Sequence, residues 1–154
     1  MHPDALALRN EYSGCTCDAC KKAKCELRLG RFPSEKVILD VDCIAKQRPK
    51  RMAGERCDFI VVVEEGKSIF LIPIEFKAKR VIPEKVESQL ESGIKFFKKH
   101  SNVQFKCRPV LVSQKLGRPN SKRLQKMKIE HNGEAVRIRH VRCNRTLSWK
   151  NARK

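Results

Sequence analysis

A glutamate and a lysine two residues apart, Glu75 and Lys77, end an apolar stretch of the chain, SIFLIPIEFK at residues 68–77. Because side chains of a strand alternate between its two faces, these two residues lie on the same side of the predicted strand. An earlier apolar stretch, CDFIVVVE at residues 57–64, carries Asp58 near its beginning. Carboxylates beside a lysine can hold a hard metal ion and stabilise negative charge in a transition state. These three residues are therefore the first candidates for chemistry.

The two apolar stretches are separated by Gly66-Lys67 and together predict a β-hairpin. If that dipeptide is the two-residue loop, Glu65 pairs with Ser68, and each residue i faces residue 133 − i across the hairpin. This register places Asp58 opposite Glu75. Two facing carboxylates repel each other unless a cation lies between them, so we predict a divalent ion at this position.

Mg²⁺ or Mn²⁺ suits such oxygen ligands, and both ions also accept phosphate oxygens from a substrate. The predicted chemistry is phosphodiester hydrolysis, in which Lys77 orients the nucleophile or stabilises the developing charge. Pro73 lies inside the second strand and cannot donate a ladder hydrogen bond, which indicates an edge position or a bulge that would shift the pairing by one residue. The alternative is a surface salt bridge at the end of a strand.

The remaining pattern predicts strands and helices around this hairpin. Residues 83–100 begin with proline and place Val86, Leu90, Ile94 and Phe97 about one helical turn apart, as in an amphipathic helix. The other predicted elements are a short helix at 4–12, a strand at 37–45, a basic turn at 46–52, a buried strand at 109–114, a basic loop at 117–128, a hairpin at 129–143 turning on Asn132-Gly133, and a frayed tail at 148–154.

Taken in order, these features resemble the PD-(D/E)xK nuclease superfamily: Asp58 opens an apolar strand, the next strand ends in Glu75-Phe76-Lys77, and an amphipathic helix follows. The resemblance covers residues 37–114 and implies a restriction-endonuclease-like fold of the α/β (α+β) class, with a mixed central sheet and flanking helices. It makes Asp58 and Glu75 the metal ligands and Lys77 the catalytic lysine. Gln89, in the helix after the triplet, corresponds to a glutamine of several nuclease branches.

The chain departs from that family pattern at two points. Cys57 stands where the motif has proline, and no tyrosine follows Gln89 at four residues, which leaves the branch undefined. An additional acidic residue often joins such sites, and Glu11 and Glu35 are the candidates; either could equally be an exposed carboxylate. With the resemblance, residues 1–154 form one nuclease-like domain: a helix and cysteine-rich metal knuckle at 1–30, a catalytic core at 35–115, and a basic hairpin and tail at 116–154.

Four cysteines lie close together near the N-terminus and suggest a metal-binding knuckle. Thiolates in a tetrahedral array suit a structural Zn²⁺, with an iron–sulfur cluster, as in some relatives of this nuclease class, and reduced free thiols as the alternatives. Because the stretch is short, one ligand could instead come from a histidine or a more distant cysteine. The four predicted ligands are Cys15, Cys17, Cys20 and Cys25.

The positive charge of the chain is concentrated in its C-terminal part. Of a net +18, residues 1–94 contribute 17 basic and 15 acidic residues, a balance of +2, whereas residues 95–154 contribute 18 and 2, a balance of +16. Such a field attracts polyanions, so nucleic acid is the expected partner, with an anionic membrane surface as the second possibility. Between the nucleic acids, we expect DNA in preference to RNA. The alternative is a solvated basic surface. The predicted phosphate-binding residues are Lys122, Arg123, Lys126, Lys128, Arg137, Arg139 and Arg142.

His131 and His140 flank the predicted C-terminal hairpin and are expected to be ordinary sheet residues, with contact to phosphate or metal as the alternative. With only one Tyr and one Trp, extensive base stacking is not indicated.

At 154 residues the chain fits one domain that needs no disulfides for its core. No segment reaches the ~18 apolar residues of a membrane span, and the first ten residues do not have a signal-peptide pattern. We therefore expect a cytoplasmic protein whose eight cysteines are thiols or metal ligands and not disulfides.

Three hypotheses follow. The first is a metal-dependent nuclease, an endonuclease or exonuclease, in a defence, repair or recombination system. The second is a non-catalytic zinc-knuckle subunit that binds nucleic acid within a larger complex. The third is a catalytic subunit that needs a partner protein, and a homodimer is also consistent with the resemblance.

Overall fold

The computed structural model describes residues 2–52 and 54–154. Its helices are α1 (Pro3–Glu11), α2 (Val41–Gln47), α3 (Pro83–His100), α4 (Arg118–Lys126) and α5 (Trp149–Ala152). Short 3₁₀ turns cover Ser13–Cys15 and Pro49–Arg51. The strands are β1 (Cys20–Lys22), β2 (Cys25–Gly30), β3 (Lys36–Asp40), β4 (Phe59–Glu65), β5 (Ser68–Lys77), β6 (Lys106–Cys107), β7 (Val110–Ser113), β8 (Lys128–His131), β9 (Glu134–Arg137), β10 (Arg139–Arg142) and β11 (Thr146–Ser148).

A mixed six-stranded sheet forms the centre of the molecule, in the order β10-β7-β5-β4-β3 with β6 also beside β5. Strands β3, β4 and β5 are successive antiparallel neighbours, whereas β7 and β6 run parallel to β5 and β10 runs parallel to β7. A parallel neighbour requires a long crossover, which α3 provides between β5 and the strands that follow. The α+β class expected from the sequence is confirmed at this level.

Each face of the sheet is covered by different elements. Helix α3 packs on one face, where Leu90 and Phe97 share a buried cluster with Leu71 and Leu111 of the sheet. The small sheet β1-β2-β11 and α5 cover the other face, where Leu27 and Trp149 pack with Ile72, Ile74 and Val112. Burying such side chains contributes about 1.5–3 kcal/mol each, so both layers stabilise the strands that carry the candidate residues.

The predicted hairpin register is confirmed along β4 and β5. Glu65 pairs with Ser68 and the pairing continues without a shift to Phe59 and Ile74. Pro73 pairs with Ile60 in the middle of this ladder. Hydrogen-bonded pairs alternate along an antiparallel ladder, so the Ile60–Pro73 pair falls at a position that needs no donor from the proline. Pro73 therefore causes neither an edge position nor a bulge, contrary to the sequence expectation.

Helix α3 has the predicted bounds, and its apolar residues are buried as the spacing indicated. The predicted strand at 37–45, in contrast, is wrong beyond Asp40, because residues 41–47 form α2. The Asp40 side chain accepts a hydrogen bond from the Cys43 N–H at 3.2 Å. This N-cap starts a helix despite the β-branched residues that favour a strand.

The C-terminal part is more ordered than the sequence indicated. The predicted basic loop at 117–128 is mostly the helix α4, which starts after the extended Gly117 and is anchored by the buried Leu124. The hairpin on Asn132-Gly133 is confirmed as β8 and β9, but it ends at Arg137 and not at residue 143 as predicted. The chain then leaves the hairpin, and β10 joins the edge of the central sheet beside β7.

The predicted frayed tail at 148–154 is also wrong. Strand β11 pairs in parallel with β2, and the Ser148 side chain caps α5 by accepting a hydrogen bond from the Asn151 N–H at 3.3 Å. Trp149 is 6% exposed. This order depends on pairing with a strand more than a hundred residues earlier, which no local pattern reveals.

Two disulfides correct the expectation that the cysteines are all thiols or metal ligands. Cys15 is bonded to Cys43, and Cys25 to Cys143, with Cα–Cα distances of 5.5 and 5.3 Å. Both distances lie in the range that allows a disulfide. The second pair meets because the loop after β10 lies beside β2, where the Asn144 N–H donates to the Glu26 carbonyl. Within residues 2–52 and 54–154, no helix combines the length and apolar character needed to cross a membrane.

Candidate active site

The Asp58 and Glu75 carboxylates lie together at one end of the hairpin formed by β4 and β5. Asp58 precedes β4 by one residue, and its Oδ2 accepts a hydrogen bond from the Phe76 N–H at 2.7 Å. The regular ladder pairs Ile74 with Phe59, yet the Asp58 N–H also donates to the Ile74 carbonyl, at 2.9 Å. The one-residue shift that the sequence suggested for Pro73 thus occurs at Asp58. It places the aspartate carboxylate against the backbone of β5 between Glu75 and Lys77.

Both carboxylates are buried, with Asp58 6% and Glu75 3% exposed. The Lys77 Nζ lies 2.9 Å from Glu75 Oε2. The other oxygen of the same carboxylate, Glu75 Oε1, is buried and has no hydrogen-bond partner in the described parts of the chain. A buried polar atom left unpaired costs about 1–3 kcal/mol. Such an atom in a stable fold is expected to face a water molecule or an ion.

Burial and the nearby Asp58 carboxylate raise the pKa of Glu75 to about 8, and the neighbouring Lys77 ammonium acts in the opposite direction. Strongly perturbed carboxyl groups are common at functional sites. A metal ion that binds Glu75 has to displace the proton that this carboxyl holds near neutral pH. Because this competition weakens as the proton dissociates, we expect metal affinity to increase as the pH approaches 8.

The same shift predicts how the stability of the metal-free protein depends on pH. Folded Glu75 keeps its proton up to about pH 8, whereas the unfolded carboxyl releases it near its ordinary pKa of 4.5. The folded state therefore binds more protons between these values, and its free energy of unfolding falls as the pH rises, by at most about 1.4 kcal/mol per pH unit. Urea unfolding in a chelator at pH 5 to 9 should show this fall in the wild type and not in Glu75→Gln. Parallel pH profiles for the two proteins would contradict it.

Gln89 contributes a second unpaired buried oxygen. Helix α3 approaches the hairpin closely at Gly93, where an added Cβ would lie 2.9 Å from the Pro73 Cβ and 3.2 Å from the Cys57 Sγ. The Ser92 hydroxyl accepts a hydrogen bond from the Cys57 N–H at 3.1 Å, which holds the helix against the start of β4. Gln89 lies one helical turn before Gly93, and its Oε1 is buried without a partner in the described chain. A cation or ordered water would satisfy this oxygen as well.

Lys22, which the sequence analysis did not single out, completes the charged cluster. It lies at the end of β1, and its Nζ contacts Asp58 Oδ1 and lies 3.9 Å from Asp42 Oδ2. Its sequence context is a polar, punctuated stretch without a motif. Only the packing of β1 and β2 on the central sheet brings this lysine to the carboxylate, so no sequence signal could have found it.

Lys22 and Lys77, the two lysines that contact the carboxylates, line a cleft of about 580 Å³. Its lining includes three lysines, Lys22, Lys24 and Lys77, together with Gln114. Phe76 and the disulfide between Cys25 and Cys143 supply less polar walls. Positive donors at the rim of a cleft next to two carboxylates suit a ligand that carries phosphate and could also share a metal ion with them.

A row of residues in register across the parallel strands extends from Lys77 to β7 and β10. Lys77 is in register with Ser113 of β7, and Ser113 is in register with Arg142 of β10. The Ser113 hydroxyl and the His140 Nε2 are 2.8 Å apart, and burial lowers the pKa of His140. His140 is thus near the site and hydrogen-bonded, whereas His131 is a core residue stacked on Phe105, with a distance of 4.1 Å between the ring centroids.

The predicted phosphate-binding residues are all exposed and lie on four successive elements, α4, β8, β9 and β10. Lys128 and Arg137 face each other across the hairpin of β8 and β9, and Arg123 forms an ion pair with Glu84. A second cleft, of about 650 Å³, includes Arg137 and Arg139 in its lining, together with Arg108 and Lys154. The remaining predicted residues, on α4 and β10, are Lys122, Lys126 and Arg142.

Neither candidate for an additional acidic residue joins the pair. Glu11 forms ion pairs with Arg48 and Arg51, at 2.9 and 2.7 Å. Glu35 precedes the end of β3 that pairs with Val63, whereas Asp58 adjoins the opposite end of the β3–β4 ladder. The acidic site therefore consists of Asp58 and Glu75.

The four cysteines of the predicted knuckle are divided between different partners. Cys15 and Cys25 form the two disulfides, while Cys17 and Cys20 are free. In the described ranges, no three histidine, cysteine, aspartate or glutamate side chains are grouped so that they could hold a metal ion. The structural zinc and the iron–sulfur cluster stay predictions, and neither has a preformed set of ligands in this arrangement.

Comparison of the chain with family models, with curated proteins and with solved structures gives no match.

Proposed function

We propose that the chain is a metal-dependent nuclease of the PD-(D/E)xK type that hydrolyses phosphodiester bonds of nucleic acid, DNA in preference to RNA. The observation that carries this proposal is the pair of buried carboxylates, Asp58 and Glu75, beside Lys77, with one Glu75 oxygen left without a partner in the described chain. A fold does not bury two neighbouring carboxylates without a cost in stability, and a divalent cation between them offsets that cost.

The topology supports the same assignment. Three successive antiparallel strands, then the helix α3, then a strand parallel to β5 form the arrangement expected of a restriction-endonuclease-like core. The triplet Glu75-Phe76-Lys77 ends the strand at the centre of this arrangement, and Asp58 reaches it from the adjoining strand. Fold alone does not define an activity, so the argument for hydrolysis depends on these side chains.

Each residue of the site has its own role in the proposed reaction. Asp58 and Glu75 would hold Mg²⁺ or Mn²⁺, and the Gln89 amide oxygen, which is buried without a partner in the described chain, is the candidate for a further ligand to the ion or to its water. When bound, the ion would neutralise negative charge on the phosphate and lower the pKa of a bound water. Lys77, held 2.9 Å from Glu75, is positioned to donate to the attacking water or to a phosphate oxygen. Lys24 and Gln114 in the adjoining cleft can bind neighbouring phosphate oxygens.

The basic C-terminal elements would hold the rest of the nucleic acid. Arg137 and Arg139 line the second cleft, of about 650 Å³, together with Arg108 and Lys154, and these four positive side chains are the proposed contacts. Because these contacts go to phosphates, binding is expected to weaken steeply with salt and to depend little on sequence.

The test is a cleavage assay on single- and double-stranded DNA and RNA, with Mg²⁺ or Mn²⁺ and with chelator. We expect cleavage only with metal, and a loss of about 10²–10³-fold in rate for Lys77→Ala, because one preorganised positive donor is removed from the transition state. Lys67→Ala, at the other end of the same hairpin, is the matched control and should cleave like the wild type. Salt-sensitive binding without metal-dependent cleavage on any substrate would favour the non-catalytic binding subunit instead.

A further inference from the structure

Both oxygens of the Asp58 carboxylate are engaged in the metal-free chain. Oδ2 accepts the hydrogen bond from the Phe76 N–H at 2.7 Å, and Oδ1 is in contact with the Lys22 ammonium. The oxygen bonded to the backbone is part of the strand geometry and is not easily released. Asp58 Oδ1, held only by a mobile side chain, and Glu75 Oε1, without a partner in the described chain, are therefore the oxygens that we expect a cation between the two carboxylates to use.

The Lys22 ammonium competes with such a cation for the same carboxylate oxygen. An ammonium and a divalent ion on the same carboxylate oxygen would lie within a few ångströms of each other and repel strongly, since the surroundings of Asp58 are largely buried. Asp42, 3.9 Å from the Lys22 Nζ, adds a second but more exposed negative group. The ammonium thus neutralises Asp58 as long as the metal is absent and must leave when the metal arrives.

The adjoining cleft offers the Lys22 side chain a second position. Lys22 pairs with Cys25 across the tight turn of the β1–β2 hairpin, in which Ala23 has a φ of 53°. Its side chain is 48% exposed and lines the 580 Å³ cleft that also contains Lys24 and Lys77. A rotation of the flexible side chain moves the ammonium from the carboxylate into the cleft without moving the strand, which the disulfide between Cys25 and Cys143 holds in place.

We propose that Lys22 is an exchangeable internal cation: it occupies Asp58 in the metal-free protein, gives way to the divalent ion, and then binds a phosphate of the nucleic acid in the adjoining cleft. This inference rests on the proposed function for the identity of the metal and of the phosphate ligand. It assigns Lys22 a positioning role that couples metal binding to substrate binding, because the displaced ammonium is available for phosphate only after the ion has bound.

The first test measures Mn²⁺ affinity by calorimetry on the full chain without nucleic acid. Lys22→Met should bind Mn²⁺ about fivefold or more tightly than the wild type, because the competing ammonium is gone. The control is Lys21→Met, which removes the same charge from the neighbouring, exposed position of β1, outside the cleft; its affinity should differ from the wild type by less than twofold, within about 0.4 kcal/mol by the usual conversion. Equal affinities for both variants, or no Mn²⁺ binding by any of the three proteins, would overturn the proposal.

The second test follows the Lys22 amine itself. Acylation of the wild-type protein by an amine-reactive ester, read by mass spectrometry, should increase at Lys22 when Mn²⁺ is added and stay constant at Lys24. Unchanged reactivity at Lys22 would overturn the exchange. Neither readout requires hydrolysis, so the two proposals can fail separately. A metal-dependent change at Lys22 without any cleavage would reject the nuclease and support the exchange of Lys22. Metal-dependent cleavage without a change at Lys22 would support the nuclease and reject the exchange.

Discussion

Replacing Asp58 by asparagine is expected to abolish metal-dependent cleavage, lowering its rate by about three orders of magnitude or more, since the substitution removes both a charged metal ligand and the charge that holds the ion. The amide oxygen of asparagine can still accept the hydrogen bond from the Phe76 N–H, so the end of the hairpin keeps its geometry. The effect should therefore fall on metal binding and rate and not on folding.

The measurements are the cleavage rate and the Mn²⁺ affinity of Asp58→Asn, with Asp18→Asn, an exposed aspartate, as the matched control. Without metal near pH 8, the urea concentration at the unfolding midpoint of the variant should be at least as high as that of the wild type. The substitution removes one of two neighbouring buried carboxylates, so Glu75 ionises more easily. Cleavage by Asp58→Asn within tenfold of the wild-type rate would reject Asp58 as a ligand.

The largest loss of stability is expected from Trp149→Ala, about 3–5 kcal/mol, the usual range when a buried aromatic side chain is truncated. Trp149 is 6% exposed and lies between Phe32 and Phe70, with 5.0 Å between its ring centroid and each of theirs. Its Nε1 donates to Glu65 Oε2 at 2.5 Å, at the turn end of the β4–β5 hairpin. Removing the indole opens a cavity between the C-terminal elements and the central sheet and leaves the glutamate without this donor.

Urea unfolding of Trp149→Ala, followed by circular dichroism, gives this value. Lys150→Ala, the exposed neighbour in the same short helix, is the control and should lie within about 0.5 kcal/mol of the wild type. A loss below about 1 kcal/mol for Trp149→Ala would mean that residues 146–154 contribute little to the core.

The parts of the fold that the sequence predicted are those encoded by nearby residues. The hairpin of β4 and β5 follows from two apolar stretches around Gly66-Lys67, and its predicted register holds as far as Phe59 and Ile74, the neighbours of Asp58 and Glu75. Helix α3 follows from apolar residues one turn apart after Pro83. In both cases the period of the pattern and the turn chemistry indicate the same structure, which makes a local prediction accurate.

The parts that the sequence did not reveal depend on distant contacts or on a cap. Helix α2 forms in a β-branched stretch because the Asp40 side chain caps it. The order of residues 146–154 depends on the pairing of β11 with β2, and the position of Lys22 depends on how β1 lies against the central sheet. Both disulfides join residues that are far apart in the sequence. Single-sequence patterns do not encode which distant segments meet.

The bond between Cys25 and Cys143 closes a covalent ring that spans a sequence separation of 118 residues. Asp58, Glu75, Lys77 and Gln89 all lie inside this ring, as do α3 and the strands of the central sheet. A break in any single peptide bond between the two cysteines therefore leaves one connected molecule, whose halves separate only when the sulfur bridge is reduced. Closing so long a loop also restricts the unfolded chain, by about 4–5 kcal/mol in the chain-entropy treatment, and so favours the folded state of the whole central sheet.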